Sequence, residues 1–150
     1  MRKNRRRKKE PFLCTYILDP TEEKREAILH VAGEKNLPMV HMLDGYTENF
    51  AANKKAMHLD GVVEDLKVED WLYYIYHCDF LITDSCHGAS FAILFGKPFI
   101  CIGNAGRGLP RFESWQDCSI WKTVLFMMRK KSRNGQSFWS LSIIKKRMKS

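Results

Sequence analysis

The chain has 150 residues, enough for one domain with a sizeable core, and a formal charge of +8 that is concentrated at its two ends. Residues 1–9 carry seven basic side chains and no acidic one, and residues 115–150 carry nine basic side chains against Asp117 alone. The segment between them has nine basic and sixteen acidic residues. A basic nucleic-acid-binding face on the folded part is therefore not supported.

Cysteine usage and hydropathy argue against several further classes of protein. The five cysteines are odd in number and show no C-x-x-C spacing, which favours a reduced cytosolic protein over a disulfide framework or a zinc site. No apolar run reaches the roughly eighteen residues of a membrane span, and no apolar core of a secretory signal follows the N-terminal charges. We expect a cytoplasmic protein without a membrane span, a bound metal or a cofactor.

The first elements are predicted from composition and from helix-start residues. Residues 1–10 form a solvated basic linker, with a nucleic-acid or membrane-surface arm as the alternative. Residues 12–18 are rich in β-formers and predict a strand. A cap candidate, a proline and two acidic residues follow at 19–23 and predict a helix that runs to about Glu34. Its predicted buried side consists of Ile28, Leu29, Val31 and Ala32.

The middle of the chain alternates between predicted order and a polar stretch. Residues 38–43 predict a strand, and residues 44–60 predict a loop that is either a solvated connection or a substrate-facing segment. Residues 62–63 are candidates for a short strand, and residues 67–78 for a helix. The apolar positions of that helix at core spacing are Trp71, Leu72, Ile75 and Tyr76. Tyr73 and Tyr74 are interpreted as helix surface or core edge, with sugar stacking as the alternative.

Histidines outside the motif described below have no ligand spacing. They are interpreted as structural or surface residues: His30, His41, His58 and His77.

Residues 79–102, DFLITDSCHGASFAILFGKPFICI, predict a strand, a tight polar turn, a helix and a second buried strand. Asp84 and Ser85 are helix-start residues. The turn therefore brings Ser85, His87 and the Gly88 amide to the carboxyl end of a strand and the N-terminus of a helix. Open α/β sheets bind ligands at this position, where free N–H groups favour an anion.

A glycine-rich loop follows at 103–112 and carries three polar candidates. Arg107 is a candidate clamp for a carboxylate or phosphate, because a guanidinium pairs with both in a bidentate manner. Arg111 is interpreted either as a ligand-binding residue or as a brace of the loop. Asn104 lies at the start of the same loop.

These motifs resemble the C-terminal half of polysaccharide pyruvyl transferase family proteins. The resemblance covers roughly residues 11–114, including the opening strand at 15–19 and Glu69–Leu72. It is carried by five ordered blocks: Thr83–Gly88, Phe91-Ala92, Lys97–Phe99, Asn104 with Arg107-Gly108, and Arg111-Phe112. Cys86 stands where the family usually has an aromatic residue, and Ala89 where it has a small hydroxyl residue or glycine. Both leave His87 and Gly88 in place.

The resemblance implies both a fold and a reaction. The fold is a Rossmann-like three-layer α/β domain with a parallel sheet, one half of a glycosyltransferase-B-like fold whose N-terminal domain is missing here. The reaction transfers the pyruvyl group of phosphoenolpyruvate to a saccharide acceptor as a ketal. Because the active site of such folds lies between two domains, we expect a fragment with little or no activity alone.

The predicted roles within the site are as follows. His87 is the candidate acid/base catalyst, because its pKa normally lies near working pH, and a core histidine is the alternative. Asp84 is expected to orient or cap rather than to catalyse. The predicted substrate-binding residues are Ser85, Gly88, Ser90, Asn104, Arg107 and Arg111.

The segment 115–150 differs from the rest of the chain. It has no acidic residue after Asp117, and it holds three of the four tryptophans. Because tryptophan and methionine each have a single codon, a reading displaced by one nucleotide can be tested, and it converts residues 115–122 into an acidic amphipathic segment. We therefore predict a frameshifted, poorly ordered tail, with a genuine basic tail as the alternative.

Two other functions stay open from the sequence. One is another glycosyltransferase-B-like transferase that acts on a nucleotide or phosphate sugar. The other is a non-enzymatic basic module that binds nucleic acid through both charged ends, and such binding would weaken steeply with salt.

Overall fold

The computed structural model describes residues 10–44, 47–102, 124–131, 133–135 and 137–144. The strands are β1 (Leu13–Ile17), β2 (Met39–Leu43), β3 (Phe80–Thr83), β4 (Phe99–Ile102), β5 (Val124–Lys131) and β6 (Ser137–Ile144). The helices are α1 (Glu22–Lys35), α2 (Thr47–Met57), α3 (Val68–His77) and α4 (Cys86–Leu94).

The strands form one sheet in the order β2-β1-β3-β4-β5-β6, in which only β6 runs antiparallel to its neighbour. Strands β3 and β4 are buried along their whole length, as their continuous apolar sequences predict. They are adjacent and parallel, and α4 connects them, so the predicted strand–helix–strand unit is confirmed. The chain is thus an α/β protein built on a parallel sheet.

Helices cover both faces of the sheet because alternate strand residues face opposite sides. On one face, Leu13 and Ile17 pack in a cluster with Ile28 of α1 and Met57 of α2. On the other face, residues of the same sheet pack against α3 and α4; this second cluster includes Cys14, Leu81, Ile75 and Ala89. These two clusters give the three layers that the sequence analysis predicted.

The prediction that residues 44–60 form a loop is wrong, because most of this stretch is helix α2. Met57 is fully buried, and the half-buried Phe50 packs against the same cluster. The two side chains are seven residues apart and therefore lie on one face of the helix. Alanines and polar residues make up the rest of the helix, and they concealed this narrow apolar stripe in the sequence.

Two side chains that were predicted to face the core are exposed. Leu29 of α1 is 38% exposed, and Tyr76 of α3 is 54% exposed. Tyr74 packs against the core of α3 and α4 instead. The candidate strand at 62–63 is reduced to a single parallel bridge between Val62 and His41 at the outer edge of β2.

Strands β5 and β6 lie within the segment that the sequence analysis expected to be poorly ordered. They pair as an antiparallel hairpin from Val124↔Ile144 to Lys131↔Ser137, and β5 also pairs with β4. Gly135 has φ +76° in the connecting turn, and Asn134-Gly135 is a turn signal between two strands. The displaced reading frame and the division of the chain at residue 114 stay predictions.

Candidate ligand site at the carboxyl ends of β1 and β3

The predicted turn lies where the order of the strands reverses. Strand β2 lies on one side of β1, and β3 lies on the other side. The order of the strands therefore reverses between β1 and β3. Ligands of open α/β sheets bind outside the carboxyl ends of the strands at such a point. The turn begins with Asp84, directly after β3, and faces the loop that follows β1.

Asp84 fixes this loop through its carboxylate. Its oxygens accept hydrogen bonds from the backbone N–H groups of Leu18 at 2.7 Å and Asp19 at 3.2 Å. Lys24 Nζ lies 2.7 Å from Asp84 Oδ2 and donates to the Asp19 carbonyl oxygen at 2.7 Å. Both side chains of this ion pair are buried. Asp84 is therefore a brace between two loops at the site, and its role in orienting a catalytic group stays a prediction.

Ser85 caps α4, as predicted. Its Oγ accepts a hydrogen bond from the Gly88 N–H at 3.3 Å, and its own N–H donates to Thr83 Oγ1 at 3.0 Å. Thr83 Oγ1 in turn donates to the Tyr16 carbonyl oxygen at 2.7 Å. The turn is thus connected to β1 as well as to β3.

Gly88 is required by packing at this turn. A Cβ atom at this position would lie 2.7 Å from Thr83 Oγ1 and 3.2 Å from Tyr16 Cδ1, so no larger residue fits without a shift. The Gly88 N–H is already bonded to Ser85. Close packing therefore accounts for the glycine, and its predicted contact with an anion stays a prediction.

His87 is exposed and borders a cavity of about 320 Å³. Its exposure excludes the alternative of a core histidine. Among the described residues, the other charged side chain at the cavity is that of the exposed Lys67, and the walls also include Tyr16, Leu43, Leu66, Val68, Trp71 and Phe91. His87 thus has access both to solvent and to a concave surface of ligand size.

Three aromatic rings form one wall of this cavity. Trp71 packs edge-to-face against Tyr16 at a centroid distance of 5.3 Å and against Phe91 at 5.1 Å. Burial raises the pKa of the Tyr16 phenol, and the carboxylates of Asp44 and Asp84 raise it further. Tyr16 is therefore a protonated phenol at neutral pH.

The remaining predicted residues are distributed as follows. Ser90 is exposed on α4, and its Oγ donates to the Cys86 carbonyl oxygen at 2.8 Å. Asn104, Arg107 and Arg111 lie outside the described residues. Among the predicted site residues that are described, the structure thus brings Asp84, Ser85, His87, Gly88 and Ser90 together at the start of α4.

A second, larger cleft of about 670 Å³ contains none of the predicted site residues. It is bordered by Arg25, Lys54, Lys55 and His58, together with residues 51, 59 and 60. Arg25 is paired with Glu22, and Lys54 with Glu64. Because this cleft lies among α1, α2 and the segment after α2, away from the carboxyl ends of β1 and β3, we do not assign it to the site.

Three residues that shape the site were not predicted as site residues from the sequence. Trp71 was assigned to the core, although it also forms a cavity wall. Tyr16 and Lys24 had no assigned role. The position of Tyr16 next to the end of a predicted strand was a usable signal, whereas the pairing of Lys24 with Asp84 joins residues sixty positions apart and has no local sequence signature.

The described part of the chain contains no group of three or more His, Cys, Asp or Glu residues placed to hold a metal ion. Its helices include none with the length and apolar character needed to cross a membrane. Among the described residues, Cys14 and Cys101 are buried free thiols.

Comparisons with known proteins agree with the motifs of the turn. The family profile "Polysaccharide pyruvyl transferase" matches residues 1–106, which is more than half of the chain. The protein therefore belongs to the polysaccharide pyruvyl transferase family.

Solved structures show weaker similarity. The S. aureus MnaA–UDP co-structure is 20% identical with a TM-score of 0.48, over 62% of this chain and 28% of that chain. The SurE protein from Aquifex aeolicus is 11% identical with a TM-score of 0.40, over 89% of this chain and 82% of that chain. The present chain thus spans little more than a quarter of the MnaA chain. The search of curated proteins found no match.

Proposed function

We propose that this chain is the C-terminal part of a polysaccharide pyruvyl transferase that transfers the pyruvyl group of phosphoenolpyruvate to a saccharide as a ketal. The family supplies the reaction class. The observation that carries the assignment to this site is the exposed His87 beside a cavity at the reversal point of the sheet. In this proposal the N-terminal half of a glycosyltransferase-B-like fold completes the active site. The present chain alone then has little activity.

The proposed reaction balances as follows. A proton is added to the methylene carbon of phosphoenolpyruvate, and two hydroxyl oxygens of the acceptor form bonds to its C2 carbon. The bond between C2 and the phosphate oxygen breaks, and inorganic phosphate leaves. Of the two hydroxyl protons, one balances the new methyl group and the other leaves with phosphate or solvent.

In this mechanism His87 transfers protons between the acceptor hydroxyl, the donor and solvent. A positioned acid/base group contributes about 10²–10⁴-fold to a rate. The buried Ser85 hydroxyl accepts a hydrogen bond from the Gly88 N–H and so supports the turn that carries His87. Since a helix N-terminus stabilises an anion by only about 0.3–1 kcal/mol at an exposed site, we assign Arg107 and Arg111, with Asn104, to the donor carboxylate and phosphate.

We also propose that the enzyme works in the cytoplasm on an exopolysaccharide precursor. Cys14 and Cys101 are buried thiols whose pKa is raised by burial, so they remain protonated and chemically inert. Such cysteines are compatible with a reducing compartment.

The decisive assay is phosphate release from phosphoenolpyruvate in the presence of a panel of saccharide acceptors. The assay uses this chain joined to the N-terminal domain of a polysaccharide pyruvyl transferase. We expect His87→Ala to lower kcat by about 10²–10⁴-fold, because proton transfer is lost. His30→Ala, at an exposed position of α1, is the matched control. A His87→Ala enzyme that releases phosphate at the parent rate would refute the catalytic assignment.

A further inference from the structure

The cavity beside His87 has the size of a single small ligand. Its volume of about 320 Å³ lies at the lower end of the range for ligand sites, which is about 300–1,000 Å³. Both substrates of the proposed reaction, a sugar unit and phosphoenolpyruvate, would be small enough. The chemistry of the walls therefore decides between them.

Carbon surface dominates the walls. Trp71, Tyr16 and Phe91 form a continuous aromatic cluster, and Leu43 and Leu66 add aliphatic surface. The indole nitrogen of the partly exposed Trp71 is buried and has no hydrogen-bond partner among the described residues. Trp71 therefore offers ring carbon, not its N–H group, to the cavity. A pyranose ring presents C–H groups on one face and can pack against such a surface while its hydroxyls remain hydrated.

The charges near the cavity disfavour a multiply charged anion. Apart from His87, Lys67 is the one basic side chain among the described residues that border the cavity, and it is exposed. The nearest carboxylates, Asp44 and the Lys24-paired Asp84, add no positive charge at this wall. An anionic donor in this cavity would lose hydration without gaining enough compensating positive charge.

We infer that this cavity is the subsite for one neutral saccharide ring of the acceptor, with Trp71 as the residue on which the ring packs. The assignment rests on the proposed function. His87 at the rim then lies beside the bound ring, where its imidazole can accept a proton from a hydroxyl. Phosphoenolpyruvate binds outside the cavity. Trp71 is thus a substrate-positioning residue, and the carbon surface of its ring sets the preference for a sugar.

The test follows the indole ¹⁵N–H signal of Trp71 in the full 150-residue chain. The signal is assigned as the one absent from Trp71→Phe. Methyl glycosides of glucose, galactose, mannose and N-acetylglucosamine are titrated separately, and then phosphoenolpyruvate and inorganic phosphate. We expect at least one glycoside to shift the signal saturably. Phosphoenolpyruvate and phosphate should neither shift it nor displace the glycoside.

Substitutions separate ring packing from a general loss of structure. We expect Trp71→Leu to raise the glycoside Kd about five- to tenfold, because an aromatic contact is lost, whereas Trp71→Phe stays within about threefold. For these variants, binding is followed on the ligand signals. Tyr73→Leu is the matched control, because Tyr73 is a 55% exposed aromatic residue on the same helix and does not border the cavity. Its Kd should stay within about twofold of the parent value.

Two results would overturn the assignment. One is that no glycoside shifts the Trp71 signal, and the other is that phosphoenolpyruvate shifts it and displaces the glycoside. In the second case the proposed reaction would survive and only the placement of the acceptor would fail. If a glycoside binds at Trp71 but the extended enzyme releases no phosphate, the acceptor subsite would stand and the proposed reaction would fail.

Discussion

His41 occupies the centre of β2 with no exposed surface, and its Nδ1 lies 2.7 Å from Thr15 Oγ1. Burial lowers the pKa of the imidazole from 6.5 to about 4. The folded protein therefore contains a neutral imidazole across most of the acidic range. The structural role that the sequence analysis gave this histidine is confirmed, whereas its complete burial had no local sequence signal.

This burial predicts a pH dependence of stability. Between pH 6.5 and about 4 the unfolded chain binds a proton at His41 and the folded chain does not, so the free energy of unfolding falls as the pH falls. The slope from this group is about 1.4 kcal/mol per pH unit, with a total of roughly 3 kcal/mol. Above pH 6.5 His41 is neutral in both states and causes no further change in the free energy of unfolding.

Urea unfolding at pH 7, 6, 5 and 4 measures the dependence on His41. His41→Gln should reduce the slope between pH 6.5 and 4, whereas His30→Gln, at an exposed position of α1, should retain it. An unchanged slope in His41→Gln would show that this histidine does not control the acid response.

At the scale of elements, the success of the sequence analysis depended on how much of each element is buried. Strands β3 and β4 are wholly buried and have continuous apolar sequences, so they were predicted with nearly their observed bounds. The cap of α4 by Ser85 was predicted because such a cap is local in sequence. The fold class followed from these features.

Helix α2 marks where this reasoning failed, and the hairpin of β5 and β6 was not anticipated. In α2 only Phe50 and Met57 pack against the core cluster, too few for a recognisable period among polar residues. In the hairpin, the basic composition outweighed the turn signal Asn134-Gly135. The cavity walls were missed for a different reason, because Tyr16 and Trp71 come together only through the tertiary fold.

The helical assignment of residues 47–57 predicts a specific cost of truncation. Met57→Ala should lower the free energy of unfolding by about 2–5 kcal/mol, because it removes a fully buried side chain from the core cluster. Lys55→Ala, at an exposed position of the same helix, should change it by less than about 0.5 kcal/mol. Denaturant titrations of the two variants give the comparison. If both variants changed the free energy of unfolding by the same small amount, the result would contradict helix α2 and favour the predicted solvated loop.

At the scale of the whole molecule, one buried ion pair connects the two strand–helix units that meet at the candidate site. Asp84 belongs to the turn between β3 and α4, and Lys24 belongs to α1 after β1. The same carboxylate also accepts the N–H groups of Leu18 and Asp19. The geometry of the reversal point thus depends on a polar contact between segments distant in the sequence, in addition to the hydrophobic clusters on both faces of the sheet.

Asp84→Asn should be strongly destabilising, because it leaves the Lys24 ammonium buried without a counter-charge. Breaking a buried pair from one side typically costs about 3–5 kcal/mol, whereas an exposed pair contributes about 0–1 kcal/mol. Glu22→Gln, which removes the exposed partner of Arg25, is therefore the matched control. Both costs are measured by urea unfolding at pH 7.

The double variant Lys24→Met with Asp84→Asn separates a charge effect from a packing effect. Removing both charges leaves no uncompensated ion, so the double variant should be more stable than Asp84→Asn alone. It also keeps the test informative if the single variant does not fold. A double variant that is less stable than Asp84→Asn would show that Lys24 contributes through its other contacts, such as its bond to the Asp19 carbonyl oxygen, and that the ion pair is not what holds the two units together.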